Sequence, residues 1–272
     1  MPITLMYRTN NPRVASIGER CGVDRLWVDM EWMGKEERQG GMDTVQSHHT
    51  LEDVSKLREV LTTSKLMVRV NPIHDKSFEE IDESIRRGAE VVMLPMWKTT
   101  DEVKRFVDYV GGRATVNLLL ETKEGMEIIN DVVEIPGIDE IHIGLNDLHL
   151  SLHKKFMFEL VCDGTVDKLC DTLRSKNYKY GFGGIGRIGG GMLPATTILA
   201  EHVRLGSSMV ILSRSFCNTS QVTDWEALEE SFAEGVRDLR LTEERYHELS
   251  KEELDQQHLI TIENVNRIVK GE

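Results

Sequence analysis

Several function classes are excluded by what the chain lacks. There is no positive excess: 33 Lys and Arg stand against 46 Asp and Glu, a formal charge of −13. That field repels nucleic-acid phosphates and anionic membrane surfaces, so neither is an expected partner. No apolar run reaches the ~18 residues that span a bilayer. The opening Met1-Pro2-Ile3-Thr4-Leu5-Met6 has no basic stretch ahead of an apolar one, and the expected location is cytoplasmic. The four cysteines (Cys21, Cys162, Cys170, Cys217) show no CxxC spacing, so they read as reduced thiols, not as a disulfide frame or structural zinc site. No low-complexity or repeated segment interrupts the chain. What remains, 40% hydrophobic and 29% charged residues over 272 positions, suits a globular chain with a sizeable core.

Short apolar runs alternate with amphipathic segments from end to end. Leu5–Tyr7 precedes 11–21, Leu26–Asp29 precedes 51–62, Leu66–Val70 precedes 76–87, and Val91–Leu94 precedes 100–110. Val116–Glu121 then precedes 124–133, Ile141–Gly144 precedes 164–176, Tyr180–Gly183 precedes 194–204, and Met209–Leu212 precedes 224–238. Near-continuous apolar strands covered by helices indicate a parallel sheet. Eight such units fit a closed (β/α)8 TIM barrel; an open dinucleotide-binding sheet needs a glycine-rich first turn, and Arg8-Thr9-Asn10-Asn11-Pro12 is not one. The expected organisation is a barrel over 1–239 and a charged C-terminal helical extension over 240–272. With little apolar surface of its own, that tail must dock, either on its own barrel or across an oligomer contact.

Polar residues cluster just past the strand ends, the catalytic rim of such barrels. Strand two ends Asp29-Met30-Glu31, with both acids on one face by strand alternation. Strand three carries Arg69, strand five ends in Glu121, strand six leads into Gly144-Leu145-Asn146-Asp147, and strand eight into Ser213-Arg214-Ser215. Carboxylates crowded together repel unless a cation joins them, and an all-oxygen set favours Mg2+ or Mn2+. The alternative for each acid is a helix cap or a surface ion pair.

The segments Leu26–Glu31, Val68–Pro72, Gly88–Met96, Leu119–Thr122 and Pro136–Leu148 resemble the HpcH/HpaI aldolase/citrate lyase family of the phosphoenolpyruvate/pyruvate superfamily. The resemblance is nearest to a subgroup associated with polysaccharide gene clusters. It implies a (β/α)8 barrel, a homo-oligomer (a hexamer or trimer of dimers) and a divalent metal chelated by a pyruvate-like 2-oxo acid. By matched position it implies Glu121 and Asp147 as metal ligands, with Asp29 and Glu31 acting through metal-bound water. It further implies Arg69 on the enolate oxygen and the Gly144, Leu145 and Asn146 amides on the substrate carboxylate.

The match has a gap. Relatives place a histidine directly after the strand-two glutamate; here Trp32 stands there, without a basic nitrogen. The aspartate that would orient such a histidine aligns near Arg86. Candidate replacements lie in the long polar loop 34–49, with His49 first, then His48, and in His74; Lys35 and Arg38 are candidates for an anionic substrate tail. Each also reads as an ordinary solvated residue. The run Gly183–Gly191 with Arg187 follows strand seven, where barrels often bind phosphate, yet it is not a P-loop. The expected activity is therefore a metal-dependent carbon–carbon lyase or aldolase working through a pyruvate enolate. The alternatives are an enolate-based condensing enzyme, an acyl-CoA lyase, and a non-catalytic barrel that has lost its base.

Overall fold

The computed structural model describes residues 2–34, 49–217 and 224–272. Eight parallel strands close into a barrel in chain order. They are β1 (Thr4–Arg8), β2 (Arg25–Asp29), β3 (Lys65–Arg69), β4 (Val91–Leu94), β5 (Thr115–Leu120), β6 (Glu140–Ile143), β7 (Lys179–Ile185) and β8 (Met209–Leu212). The ring is completed by β1 on β8, with Tyr7 opposite Leu212. This is the (β/α)8 architecture that the alternation of segments predicts.

Strand alternation sorts the side chains into two cores. Leu26 and Val28 point outward to the helices, whereas Trp27 joins Met6, Met67, Val91, Met93, Leu119 and Met209 inside the barrel. Below that apolar layer the barrel interior holds an ion pair. Arg25 Nη2 lies 2.9 Å from Glu140 Oε2, Arg25 Nη1 also meets Glu140, and Asn117 Nδ2 donates to Glu140 Oε1 at 2.8 Å. β7 carries glycine because its backbone presses on β8: a Cβ on Gly181 would lie 2.0 Å from the Met209 carbonyl oxygen. The register shifts between Gly181 and Gly184.

The outer helices begin where local chemistry directs. α1 (Pro12–Arg20) starts on Asn11, whose side chain caps two amides, with proline in the first turn. α2 (Leu51–Val60) and α4 (Thr100–Val110) open on Thr–Asp and Thr–Glu capping boxes. α3 spans Ser77–Arg86.

The helices that follow β5 and β6 differ from the sequence reading. The segment 124–133 is two short helices, α5 (Lys123–Glu127) and α6 (Ile129–Val132). After β6 come α7 (Leu145–Ser151) and α8 (Glu159–Cys162) before the expected α9 (Thr165–Ser175). α10 spans Ala195–Arg204. α11 spans Trp225–His247, across position 239/240. α12 (Lys251–Lys270) folds back along α10 and α8 of its own barrel. There His258 Nδ1 lies 2.9 Å from the buried Glu201 carboxylate. No helix among the described residues is long and apolar enough to cross a membrane.

Candidate active site

At the carboxyl ends of the strands lies a cavity of about 270 Å³. Its walls include Arg69, Glu121, Gly144, Leu145, Asn146 and Asp147, each expected from the sequence. They come from β3, β5 and the β6–α7 turn, so parallel strands of similar length deliver them to one rim.

Arg69 is held from below. Its Nε and Nη2 each lie 2.8 Å from the two oxygens of Asp29, and Nη2 also lies 3.1 Å from Glu31 Oε2. Asp29 and Glu31 therefore do share a face, and that face grips the arginine. The guanidinium also lies over the Trp27 ring, 5.1 Å from its centroid. Burial alone would lower the arginine's pKa; the charges of Asp29 and Glu31 outweigh it and hold the pKa well above the ordinary value. Nη1 meets no acceptor among the described residues and is available to a ligand.

Glu121 is the other fixed point. Burial pushes its carboxyl pKa well above the usual range, and the neighbouring charges of Glu31 and Asp147 push it further, against the pull of Arg69 and the Met96 amide. That amide donates to Oε1 at 3.1 Å, from a residue with φ +55°, a left-handed conformation that aims the N–H at the acid. Gly144 makes room on the other side: a Cβ there would lie 2.8 Å from Glu121 Cβ and 3.0 Å from Oε2. The amides of Leu145, Asn146 and Asp147 open α7, where the first N–H groups of a helix have no intrahelical acceptor.

The donor set suits a hard divalent ion. Among the described residues no group of three or more His, Cys, Asp or Glu is arranged around a metal position. Mg2+ needs none, since it keeps several waters and is held by one or two carboxylates. A buried carboxylate whose charge is opposed by two neighbouring acids is where such an ion relieves repulsion.

The candidate bases stand differently. Trp32 is 66% exposed, and its amide donates to Asn71 Oδ1 at 3.0 Å. His49 sits at the end of β2, where its Nδ1 accepts the Asp29 amide at 3.0 Å, and it is not among the residues lining the cavity. A neutral ring in that state carries its proton on Nε2, which leaves no lone pair there to accept another. His74 is tied to Glu80 at 3.1 Å, within a network that includes Asn71. His48, Lys35 and Arg38 lie outside the described residues. Arg187 is engaged by α11: Nη1 donates to Ser231 Oγ at 2.7 Å, tying the glycine-rich loop to that helix.

Among the charged or titratable lining residues, the sequence assigns no role to Arg8 or His142 and places Arg214 only on the strand-eight rim. Arg8 was legible by parity, since Thr4, Met6 and Arg8 alternate with the outward Leu5 and Tyr7. His142 Nε2 lies 3.0 Å from the Gly183 carbonyl oxygen, and burial lowers its pKa to about 4.

The comparisons bear on the family and the fold. The family model for HpcH/HpaI aldolase/citrate lyase matches residues 3–157, more than half of the chain. No curated protein sequence matches. Among solved structures, an HpcH/HpaI aldolase from Desulfitobacterium hafniense DCB-2 superposes with TM-score 0.60 at 14% identity, covering 87% of this chain and 92% of that one. An HpcH/HpaI aldolase/citrate lyase family protein from Burkholderia cenocepacia J2315 gives TM-score 0.64 at 14% identity, covering 84% and 94%. The citrate synthase SbnG gives TM-score 0.61 at 16% identity, covering 87% and 94%. At such identities the superpositions speak for the fold, and the family model for the lineage. The chain belongs to the HpcH/HpaI aldolase/citrate lyase family.

Proposed function

We propose that this protein is a divalent-metal-dependent carbon–carbon lyase or aldolase that acts on a 2-oxo acid through a pyruvate enolate. The observation that carries the reading is the convergence on one cavity of Glu121, Asp147 and Arg69, whose Nη1 meets no acceptor among the described residues. Glu121 and Asp147 would hold Mg2+ or Mn2+, which would supply positive charge for the developing enolate.

The residues divide the work. The α7 amides of Leu145 and Asn146 receive the substrate carboxylate, and Gly144 lets that turn lie against Glu121. Arg69 presents Nη1 to the oxygen that becomes the enolate, and Asp29 with Glu31 fixes its plane, so no reorganisation is needed as charge builds. In the cleavage direction the C4 hydroxyl loses its proton and the C3–C4 bond breaks. The aldehyde leaves, the electron pair passes into the enolate, and a proton returned to C3 gives pyruvate. His49 is our candidate for moving the hydroxyl proton, a role that requires its Nδ1 to leave the Asp29 amide.

The test is deuterium exchange into the pyruvate methyl group in D2O with Mg2+ or Mn2+, alongside thermal stabilisation by oxalate, an enolate mimic. Metal-dependent exchange and stabilisation, both lost in Glu121→Ala, support the reading. Absence of both favours a barrel that binds without catalysing.

A further inference from the structure

We propose that Asn71, just past β3, is a positioning residue: oriented by Glu80, its side chain pins the chain beyond Glu31 and so holds the carboxylate that braces Arg69. This rests on the preceding reading, which places Arg69 at the enolate oxygen.

Three observations lead there. The first is how the exit of β2 is tied down. The Met30 amide donates to the Arg69 carbonyl oxygen at 2.9 Å, continuing the β2–β3 ladder just past β2. Two residues further on, a side chain takes over as acceptor. Asn71 Oδ1 receives the Trp32 amide at 3.0 Å and the Met33 amide at 3.1 Å. Glu31 is thus bracketed by tethers to Arg69 and Asn71, and its own carboxylate lies 3.1 Å from Arg69 Nη2. A displacement of this turn moves Glu31 directly.

The second is that the Asn71 side chain has one satisfied orientation. Its Oδ1 faces two N–H groups, while Nδ2 donates to Glu80 Oε1 at 2.8 Å. Flipped, it would set an NH2 group against two donors and a carbonyl oxygen against a carboxylate. Glu80, on α3, is fixed in turn. It accepts the Asn71 backbone N–H at 3.3 Å, and His74 Nε2 lies 3.1 Å from its Oε2. His74 Nδ1 accepts the Lys76 amide at 3.2 Å, so in a neutral ring Nε2 carries the proton and donates it to Glu80. The imidazole is thereby committed to this network.

The third is burial. Asn71 is buried, as are Asp29, Glu31 and Arg69. Water does not readily replace a lost partner there, so a broken link is passed along the chain of bonds. A reacting group misplaced by ~1 Å can cost about a hundredfold in rate.

Exchange of the pyruvate methyl group in D2O, at saturating pyruvate and Mn2+, tests this alongside calorimetric affinities for Mn2+ and oxalate. The variants are Asn71→Ala and Asn71→Asp. The second keeps the side-chain volume, so the test stands if the alanine variant does not fold, and it sets a carboxylate against Glu80. Each should slow exchange and weaken oxalate about tenfold or more, with Mn2+ affinity changed less than about threefold. The ion's carboxylates, Glu121 and Asp147, stand past β5 and on α7. Adding Glu80→Gln to Asn71→Asp reverses the bond between the two side chains, the glutamine now donating. That double variant should exchange within about threefold of the wild type. Exchange and oxalate affinity unaltered in both single variants overturn this inference alone. So do equal losses of Mn2+ affinity and exchange, or a double variant no faster than Asn71→Asp. Absence of exchange in the wild type overturns the enolate reading and this inference with it.

Discussion

Arg69 and Asp29, neighbours on β3 and β2, meet through two parallel contacts of 2.8 Å that fix the plane of the guanidinium and leave its Nη1 without an acceptor among the described residues. Removing the arginine strands a fully buried carboxylate. Arg69→Met should therefore lose about 3 kcal/mol of stability in denaturant unfolding, the low end for a broken buried pair because Arg8 still reaches Asp29. Arg69→Lys should keep much of the stability but lose methyl exchange, since an ammonium cannot satisfy both Asp29 oxygens and present a further donor in one plane.

The Arg25–Glu140 pair at the opposite end of the barrel separates stability from function. Arg25→Met should cost about 3–5 kcal/mol by leaving Glu140 buried with only Asn117. Adding Glu140→Leu should recover much of that loss in the double-mutant cycle, with methyl exchange retained throughout. A double variant as unstable as the sum of the singles contradicts this.

Two buried histidines set an acid limit. Burial lowers the pKa of His142 to about 4 and of His202 to about 3, with His142 adding to the effect on His202. Unfolded histidine takes its proton near pH 6.5, so between pH 6.5 and about 4 the unfolded state binds more protons and stability falls as pH falls. Each contributes roughly 1 kcal/mol per pH unit over that window. His142→Phe should flatten the slope of stability against pH below 6.5; an unchanged slope rejects the assignment.

The barrel and the polar rim at the carboxyl ends of its strands were legible because both follow from periodicity. Strand alternation places Asp29 and Glu31 on one face, and parallel strands bring Arg69, Glu121 and the β6–α7 turn to one end. Pairings set by the closed ring were not. Arg25 and Glu140 lie 115 residues apart, and nothing local marks either as buried. Arg187 looks like an anion ligand in a glycine-rich loop, yet Ser231 on α11, 44 positions away, takes it. The α7 and α8 turns are too short to show a helical period in the polar stretch after β6.

His49 offers a separate check on proton transfer. Its replacement by alanine should cut aldol turnover by more than about tenfold if it moves the hydroxyl proton. Unchanged turnover removes it from the mechanism and leaves its bond to the Asp29 amide as its role.

The close fit of Gly144 against Glu121 predicts a loss of metal affinity without a change of ligand. An added methyl group meets Glu121 Cβ at 2.8 Å and Oε2 at 3.0 Å and must displace the carboxylate. Gly144→Ala should weaken Mg2+ or Mn2+ binding by about tenfold or more, the scale seen when a metal ligand's support is disturbed. Calorimetry reads this directly, and unaltered affinity argues against Glu121 as a ligand.

Everything proposed for the chemistry depends on Glu121 and Asp147 sharing one ion. Calorimetric titration of the metal-free protein with Mn2+, repeated in Glu121→Ala and Asp147→Ala, is the most direct measurement. The account predicts one ion per chain in the wild type and loss of that binding in each variant. No uptake by the wild type, or uptake that survives both substitutions, contradicts it.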